Sequence, residues 1–209
     1  FTRYGPAAGD PDLRAALANK LIIENGIPTQ PEQVLVTNGG KQAIYNLFQV
    51  LLNPGDEVLL PAPYWLSYPE MAALAGASTR IIPTKAEEGF RLDLDLLEQQ
   101  ITPRSRLLVI NSPGNPSGQV MTRAELEALA ALVARHPPLM VMSDEIYEYL
   151  LADGQQHCSF AAIAEEIRSR CFTVNGFAKG WAMTGWRLGY LAGDAAVIKA
   201  CLLYTSPSP

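Results

Sequence analysis

Gln33-Val-Leu-Val-Thr-Asn-Gly-Gly-Lys-Gln-Ala-Ile-Tyr-Asn-Leu-Phe-Gln-Val-Leu51 decides the fold. Its first four residues form a short apolar run of strand type, and Gly39-Gly40 makes a turn. Beyond the turn, Ile44, Leu47, Phe48 and Leu51 recur at the spacing that puts them on one face of a helix. The stretch is thus a strand, a tight turn and an amphipathic helix. The same alternation extends in both directions. Upstream, Asp10 is placed to cap a helix with Pro11 at its first position, Leu13, Leu17 and Leu21 on its apolar face, and Gly26 at its end. Downstream, Asn53-Pro-Gly-Asp56 is a turn before an apolar strand at 57–60. Strands follow at 80–82, 107–110, 139–142, 172–174 and 188–191. Asp93 caps a helix at 94–100, and Thr122 with Glu125 forms a capping box before a helix at 126–135.

These seven strands are mostly separated by helices, and their interiors are apolar on both faces. That pattern predicts an α/β fold, three-layered α/β/α, with a seven-stranded, mostly parallel sheet. No internal repeat or linker divides the chain, which reads as one domain.

Composition narrows the function. The 209 residues carry 16 Lys plus Arg against 21 Asp plus Glu, a net charge of −5 with pI 5.1, so there is no basic excess to track nucleic-acid phosphates. At 48% hydrophobic and 18% charged, the chain has the makings of a sizeable core. The longest uncharged stretch, 107–122, is broken by Asn, Ser, Gly and Pro and falls short of the ~18 apolar residues of a membrane helix. Three cysteines do not make a disulfide framework and favour a reducing, cytoplasmic setting. Two histidines, His136 and His157, count against a multi-histidine metal site, and no metal is expected. The chain begins at Phe1 without methionine or a signal-peptide pattern. Residues 201–209, Cys-Leu-Leu-Tyr-Thr-Ser-Pro-Ser-Pro, have no charge and no helical or strand period. They resemble the translation of a sequencing-library adaptor end and are expected to be a non-native tail.

In open parallel sheets, ligands gather beyond the carboxyl ends of the strands. There the sequence places Asn38, Gly39, Gly40 and Lys41, then Tyr64 and Trp65, Asn111 and Asn115, Asp144 and Tyr147, and finally Asn175, Lys179 and Arg187. Gly39-Gly40 at a strand-to-helix turn would aim free N–H groups at an anion. It is not a P-loop, since Leu35 stands where that motif needs glycine and Gln42 where it needs Ser or Thr. Neither G-x-G-x-x-G nor G-x-S-x-G occurs.

Four stretches together carry a resemblance: 36–43 (VTNGGKQA), 111–118 (NSPGNPSG), 143–147 (SDEIY) and 179–190 (KGWAMTGWRLGY). In this order and spacing the chain resembles class I/II aminotransferases, fold-type I enzymes that use pyridoxal 5′-phosphate (PLP), and is most similar to their bacterial aspartate aminotransferase branch. The resemblance implies that 1–200 form the large, cofactor-binding domain, truncated at both ends and inactive alone. Lys179 matches the lysine that attaches PLP and moves the substrate proton, a role that calls for burial or neighbouring cations to lower its pKa from the ordinary ~10.4. Phe177, Trp181 and Trp186 are expected to surround it. Asp144 matches the carboxylate that keeps the pyridine nitrogen protonated; the competing reading is a helix N-cap before 145–149. Tyr147 and Asn115 match the partners of the ring's 3′ oxygen, Asn115 also facing the substrate carboxylate. Trp65 matches the aromatic that stacks on the ring. Gly39, Gly40 and Arg187 match the phosphate site. Tyr4 matches the tyrosine that reaches a partner subunit's phosphate, which implies a homodimer.

Lys41 matches a lysine associated with the distal carboxylate of an acidic substrate. The resemblance therefore implies transfer of an amino group from an L-amino acid, aspartate or glutamate, to a 2-oxo acid, with the cofactor alternating between aldehyde and amine forms. The alternatives are a fold-type I enzyme for aromatic or neutral amino acids, or a PLP-sensing domain of a regulator. Gly176 and Ala178 depart from the family, which often places hydroxyl residues there, and Gly114 and Ser117 vary its asparagine-proline motif.

Overall fold

The computed structural model describes residues 5–204. Seven strands form one sheet: β1 (Val34–Asn38), β2 (Glu57–Pro61), β3 (Ser78–Ile82), β4 (Ser105–Asn111), β5 (Met140–Asp144), β6 (Cys171–Gly176) and β7 (Leu188–Ala192). Their order across the sheet is β1-β7-β6-β5-β4-β2-β3. β7 runs antiparallel to both its neighbours, and the other pairings are parallel. The expected three-layer α/β/α architecture with a mostly parallel sheet is what the chain adopts.

Alternation along the strands explains the apolar runs. Val34, Leu59, Leu108, Ile110 and Val141 point to one face, where they meet α1 (Pro11–Ile23), α4 (Leu94–Gln100), α5 (Arg123–Ala134) and α6 (Phe160–Ile163). Leu35, Val58, Leu60, Val109 and Met142 point to the other, against α2 (Gly40–Leu51), α3 (Ser67–Leu74) and α7 (Ala195–Cys201). Both faces are covered, so neither can be polar. The caps form as the sequence predicts. Asp10 accepts from the backbone N–H of Asp12 and Leu13, Asp93 from that of Leu96, and Thr122 and Glu125 close a reciprocal box.

Two expectations need correction, and one competing reading falls. The strands reach further toward their carboxyl ends than their apolar cores, because ladder hydrogen bonds are made by backbone whatever the side chain; Asn38, Asn111 and Asp144 are last residues of strands rather than loop residues. Residues 145–150 form a turn, not a helix, so Asp144 caps none. The tail at 201–209 has helical structure at its start. Asp194 caps α7, no breaker intervenes, and Cys201 falls three residues after Ile198 on the same buried face. Leu202–Tyr204 continues as a 3₁₀ turn. No helix among the described residues is long and apolar enough to cross a membrane.

One buried carboxylate ties three strands at the edge opposite the site. Glu57, 3% exposed at the start of β2, accepts from Arg80 at 3.0 and 3.2 Å, from Arg104 at 2.7 Å and from Thr102 at 2.7 Å. The Arg80 hydrogen bonds lead in holding its pKa down at about 2 against the loss of solvation. Glu57→Gln is therefore expected to lower the unfolding free energy by about 2 kcal/mol at pH 7, less than for a wholly buried pair because both arginines reach solvent. A depressed carboxylate contributes its stability above the ordinary pKa of 4.5 and loses it as pH falls toward about 2, so urea midpoints of parent and variant should converge on acidification. A gap independent of pH would exclude the ion pair as the cause.

Candidate active site

β1, β2, β4, β5 and β6 all end at the same edge of the sheet, and there a cavity of about 290 Å³ opens. β7 begins at that edge too: Leu188 pairs with Asn38, which brings the preceding Arg187 to the start of α2. Gly40, Lys41, Trp65, Asn115, Asp144 and Tyr147 line the cavity, as do Lys179 and Arg187.

Asp144 forms the floor. It is 5% exposed; its Oδ2 accepts from the Tyr68 hydroxyl at 2.6 Å and its Oδ1 from the Ile146 N–H at 3.2 Å. Burial raises its pKa to about 6, with the nearby Glu145 charge adding to the rise and the two hydrogen bonds opposing it. A buried carboxylate in that state is completed by a cation placed beside it. Tyr68 is the functional residue that sequence reasoning missed. It is fully buried on α3, edge-on to Trp65 with ring centroids 5.4 Å apart. A polar-tipped aromatic one helical turn after Trp65 is the signal the sequence offers for it.

An anion-binding corner lies at the other end. Gly39 caps α2 with φ +77°, a conformation that favours glycine, and a Cβ there would sit 2.5 Å from Arg187 Nη2. The guanidinium therefore lies directly against the cap, next to the first-turn N–H groups that no helical carbonyl can satisfy. Arg187 itself has φ +53° and donates to the Thr184 carbonyl at 3.1 Å, so its loop holds an uncommon backbone conformation to aim this side chain.

Lys179, Tyr147 and Asn115 share the mouth. The Lys179 Nζ lies 5.7 Å from the Tyr147 ring centroid, and Asn115 Nδ2 donates to the Tyr147 hydroxyl at 3.4 Å. Lys41, on the first turn of α2, places its Nζ 5.1 Å from the Trp65 ring centroid. The expectation of a buried Lys179 walled by aromatics is corrected: Lys179 is exposed, Trp181 and Trp186 are 56% and 73% exposed, and only Phe177 packs into the core. The loop lies over the turn after β5 rather than under another layer, so solvent reaches it. Tyr4 lies outside the described residues. Ala178, at a family hydroxyl position, lines the cavity without a hydroxyl to offer.

The turn that carries Asp144 and Tyr147 is held from below. Glu145 accepts from Ser143 at 2.8 Å, Ser159 at 2.6 Å and the Phe160 N–H at 3.2 Å, and its Oε2 lies 3.1 Å from His157 Nε2. Those bonds outweigh desolvation and keep its pKa low. Glu148 pairs with Lys20 and accepts from Asn25 at 2.8 Å. Glu145, Glu148 and His157 come within 4.8 Å of one another, but both carboxylates are already occupied by these protein donors.

A strand-edge cavity lined by a buried carboxylate, a glycine-capped helix start, an arginine and two lysines defines a class: α/β proteins with an anion-binding site at the carboxyl ends of their strands. The chain belongs to the class I and II aminotransferases, whose family model matches residues 1–208. It is 53% identical over 200 residues to a bifunctional aspartate aminotransferase and glutamate/aspartate-prephenate aminotransferase of Petunia hybrida, covering 96% of this chain and 42% of that one. It is 51% identical over 207 residues to an aspartate/prephenate aminotransferase of Thermus thermophilus, covering 99% and 52%. The solved structure of the Thermus thermophilus aspartate aminotransferase with maleate superposes with a TM-score of 0.93 at 50% identity, over 98% of this chain and 52% of that chain. The chain spans about half the length of the curated relatives it matches.

Proposed function

We propose that residues 1–200 are the large, PLP-binding domain of an aminotransferase that moves the amino group of an L-amino acid, aspartate or glutamate, to a 2-oxo acid. The observation that carries this reading is one cavity lined by buried Asp144 and by three cations, Lys41, Lys179 and Arg187, in a chain whose net charge is −5. Such a pocket attracts dicarboxylates and phosphates against the overall charge.

The cavity's residues fit PLP. The cap at Gly39, the start of α2 and Arg187 suit its phosphate. Trp65 offers a ring face, and Tyr147 with Asn115 offers hydrogen bonds to the ring oxygen. Asp144 suits a protonated pyridine nitrogen. When bound, PLP supplies the electron sink that makes the substrate Cα acidic. Lys179 would hold the cofactor through its amine and would move the proton at the substrate Cα. Asn115 orients the substrate α-carboxylate, and Lys41 takes the distal one. Metal plays no part in this scheme.

Prephenate, which the names of the plant and Thermus relatives include, is a further acceptor to assay. The matched position of Tyr4 supports a homodimer with shared sites. The small number of cysteines, three in 209 residues, supports a reducing, cytoplasmic setting. From its sequence we read 201–209 as an adaptor-derived tail whose first residue, Cys201, completes α7.

Borohydride reduction of the PLP-loaded full-length protein, followed by peptide mapping, should place the pyridoxyl group on Lys179; labelling elsewhere overturns the assignment. Lys41→Ala should cut kcat/KM for aspartate by about tenfold while changing that for a neutral donor little, since an ammonium facing a carboxylate in a half-dry pocket is worth about 1–2 kcal/mol. An equal fall for both donors would make Lys41 a general support of the pocket, and would favour the aromatic or neutral amino-acid reading.

A further inference from the structure

Lys179 stands in a loop that the sheet does not hold. Residues 177–187 connect β6 to β7; the loop's ends are held by Phe177 in the core and Arg187 at the α2 cap, and between them, where Lys179 and Trp181 are exposed, it rests on the turn after β5. The support is in register. The Lys179 Nζ lies over the Tyr147 ring, and two residues on in each segment Tyr149 meets Trp181, with ring centroids 5.4 Å apart at an interplanar angle of 67°. Between these contacts Gly180 lies so close to Tyr149 that a Cβ there would be 2.8 Å from the tyrosine's Cδ2.

Tyr149 is fixed in turn by α1, which the chemistry does not use. Its hydroxyl donates to Glu24, and the Lys20 ammonium sits 5.3 Å from its ring centroid. Lys20 also pairs with Glu148 and donates to Asn25 at 2.7 Å, while Asn25 donates to Glu148 and to Ser159, each at 2.8 Å. The end of α1 thus grips the two residues, Glu148 and Tyr149, that follow Tyr147.

We propose that Tyr149 is a positioning residue for Lys179: anchored to α1 through Glu24 and Lys20, its ring seats Gly180 and Trp181 and so sets where the Lys179 amine stands over Tyr147. Tyr149 touches neither cofactor nor substrate in this scheme. The proposal rests on the reading of Lys179 as the PLP-bearing lysine, and its test separates the two.

Hydrogen exchange of the full-length apoprotein reads the loop without any cofactor. Tyr149→Ala should raise exchange in a peptide covering 177–187 by about tenfold and leave the peptides of β4 and β5 unchanged, as expected for loss of a local support. At limiting PLP, borohydride trapping at Lys179 should fall about fivefold in the same variant, because a mobile amine spends less time in the reactive geometry. Tyr149→Phe keeps the ring and loses one hydrogen bond, so exchange over 177–187 should rise by about threefold, less than in the alanine variant, and Glu24→Gln should match it. Should Tyr149→Ala fail to fold, those two variants carry the test, with a rise confined to 177–187 as the supporting result. Exchange within twofold of the parent, or a rise spread equally over β4 and β5, overturns the proposal. A pyridoxyl group found elsewhere than Lys179 in the parent would overturn the PLP assignment instead, with the exchange result still read on its own.

Discussion

Lys179→Ala in the full-length protein should abolish transamination, with turnover of aspartate and 2-oxoglutarate falling by about 10⁴-fold or more. Two functions leave with one side chain. On the proposed reading, the amine would be both the covalent attachment for the cofactor aldehyde and the base that takes the proton from the substrate Cα. Positioned proton transfer alone is worth about 10²–10⁴ in rate. Binding should survive better than turnover, because the groups at both ends of the cavity remain: Asp144 on the floor, and Arg187 beside the cap of α2. The measurement is paired, single-turnover rate on one side and PLP retained after gel filtration on the other. Retained PLP with lost turnover supports the assignment. Turnover within tenfold of the parent would mean that another base does the work.

Much of this site is legible in the sequence because its residues sit where the chain changes state. In a parallel sheet covered on both faces, the interior must be apolar and the strand ends need not be. Polar residues directly after Val36, Ile110 and Val174 therefore stand out, and they converge because β1, β4 and β6 point the same way. What periodicity cannot supply is the extent of each element. α3 has only eight residues and a proline within them, and α6 has four, too short for a helical period to register. Tyr68 is hidden along with α3, and with it the hydrogen bond that fixes Asp144.

The turn at 145–150 escapes the sequence for another reason. Glu-Ile-Tyr-Glu-Tyr is good helical sequence, and local propensity favours a helix with Asp144 as its cap. Tertiary contacts overrule it. Glu145 is bound to Ser159 and His157, and Glu148 to Lys20 and Asn25, and these contacts hold the turn in place of helical hydrogen bonds. The exposure of Lys179 is equally invisible, since neighbouring aromatic residues in sequence say nothing about which side of the loop faces water.

Asp144 offers the test with opposite signs in two measurements. Asp144→Asn keeps the size of the side chain and removes the charge that, on the proposed reading, would pair with a protonated ring nitrogen. Without it the electron sink weakens, and kcat should fall by about 10²- to 10³-fold, the scale seen when one electrostatic partner of a developing charge is deleted. The apoprotein should respond differently. Burial raises the pKa of Asp144 from 3.8 to about 6, so the folded chain holds this proton more tightly than the unfolded one. The resulting stabilisation is complete below the unfolded value and is lost as pH rises through about 6, which amounts to roughly 3 kcal/mol less by neutral pH. Unfolding midpoints of the parent apoprotein should therefore decline between pH 4 and 7, and those of Asp144→Asn should stay nearly flat over that range. A variant that loses activity while losing that pH dependence identifies a charge kept out of water for the cofactor's sake. If turnover instead stayed within a few fold of the parent, Asp144 would be a brace for the 145–150 turn, and the electron-sink assignment would fall.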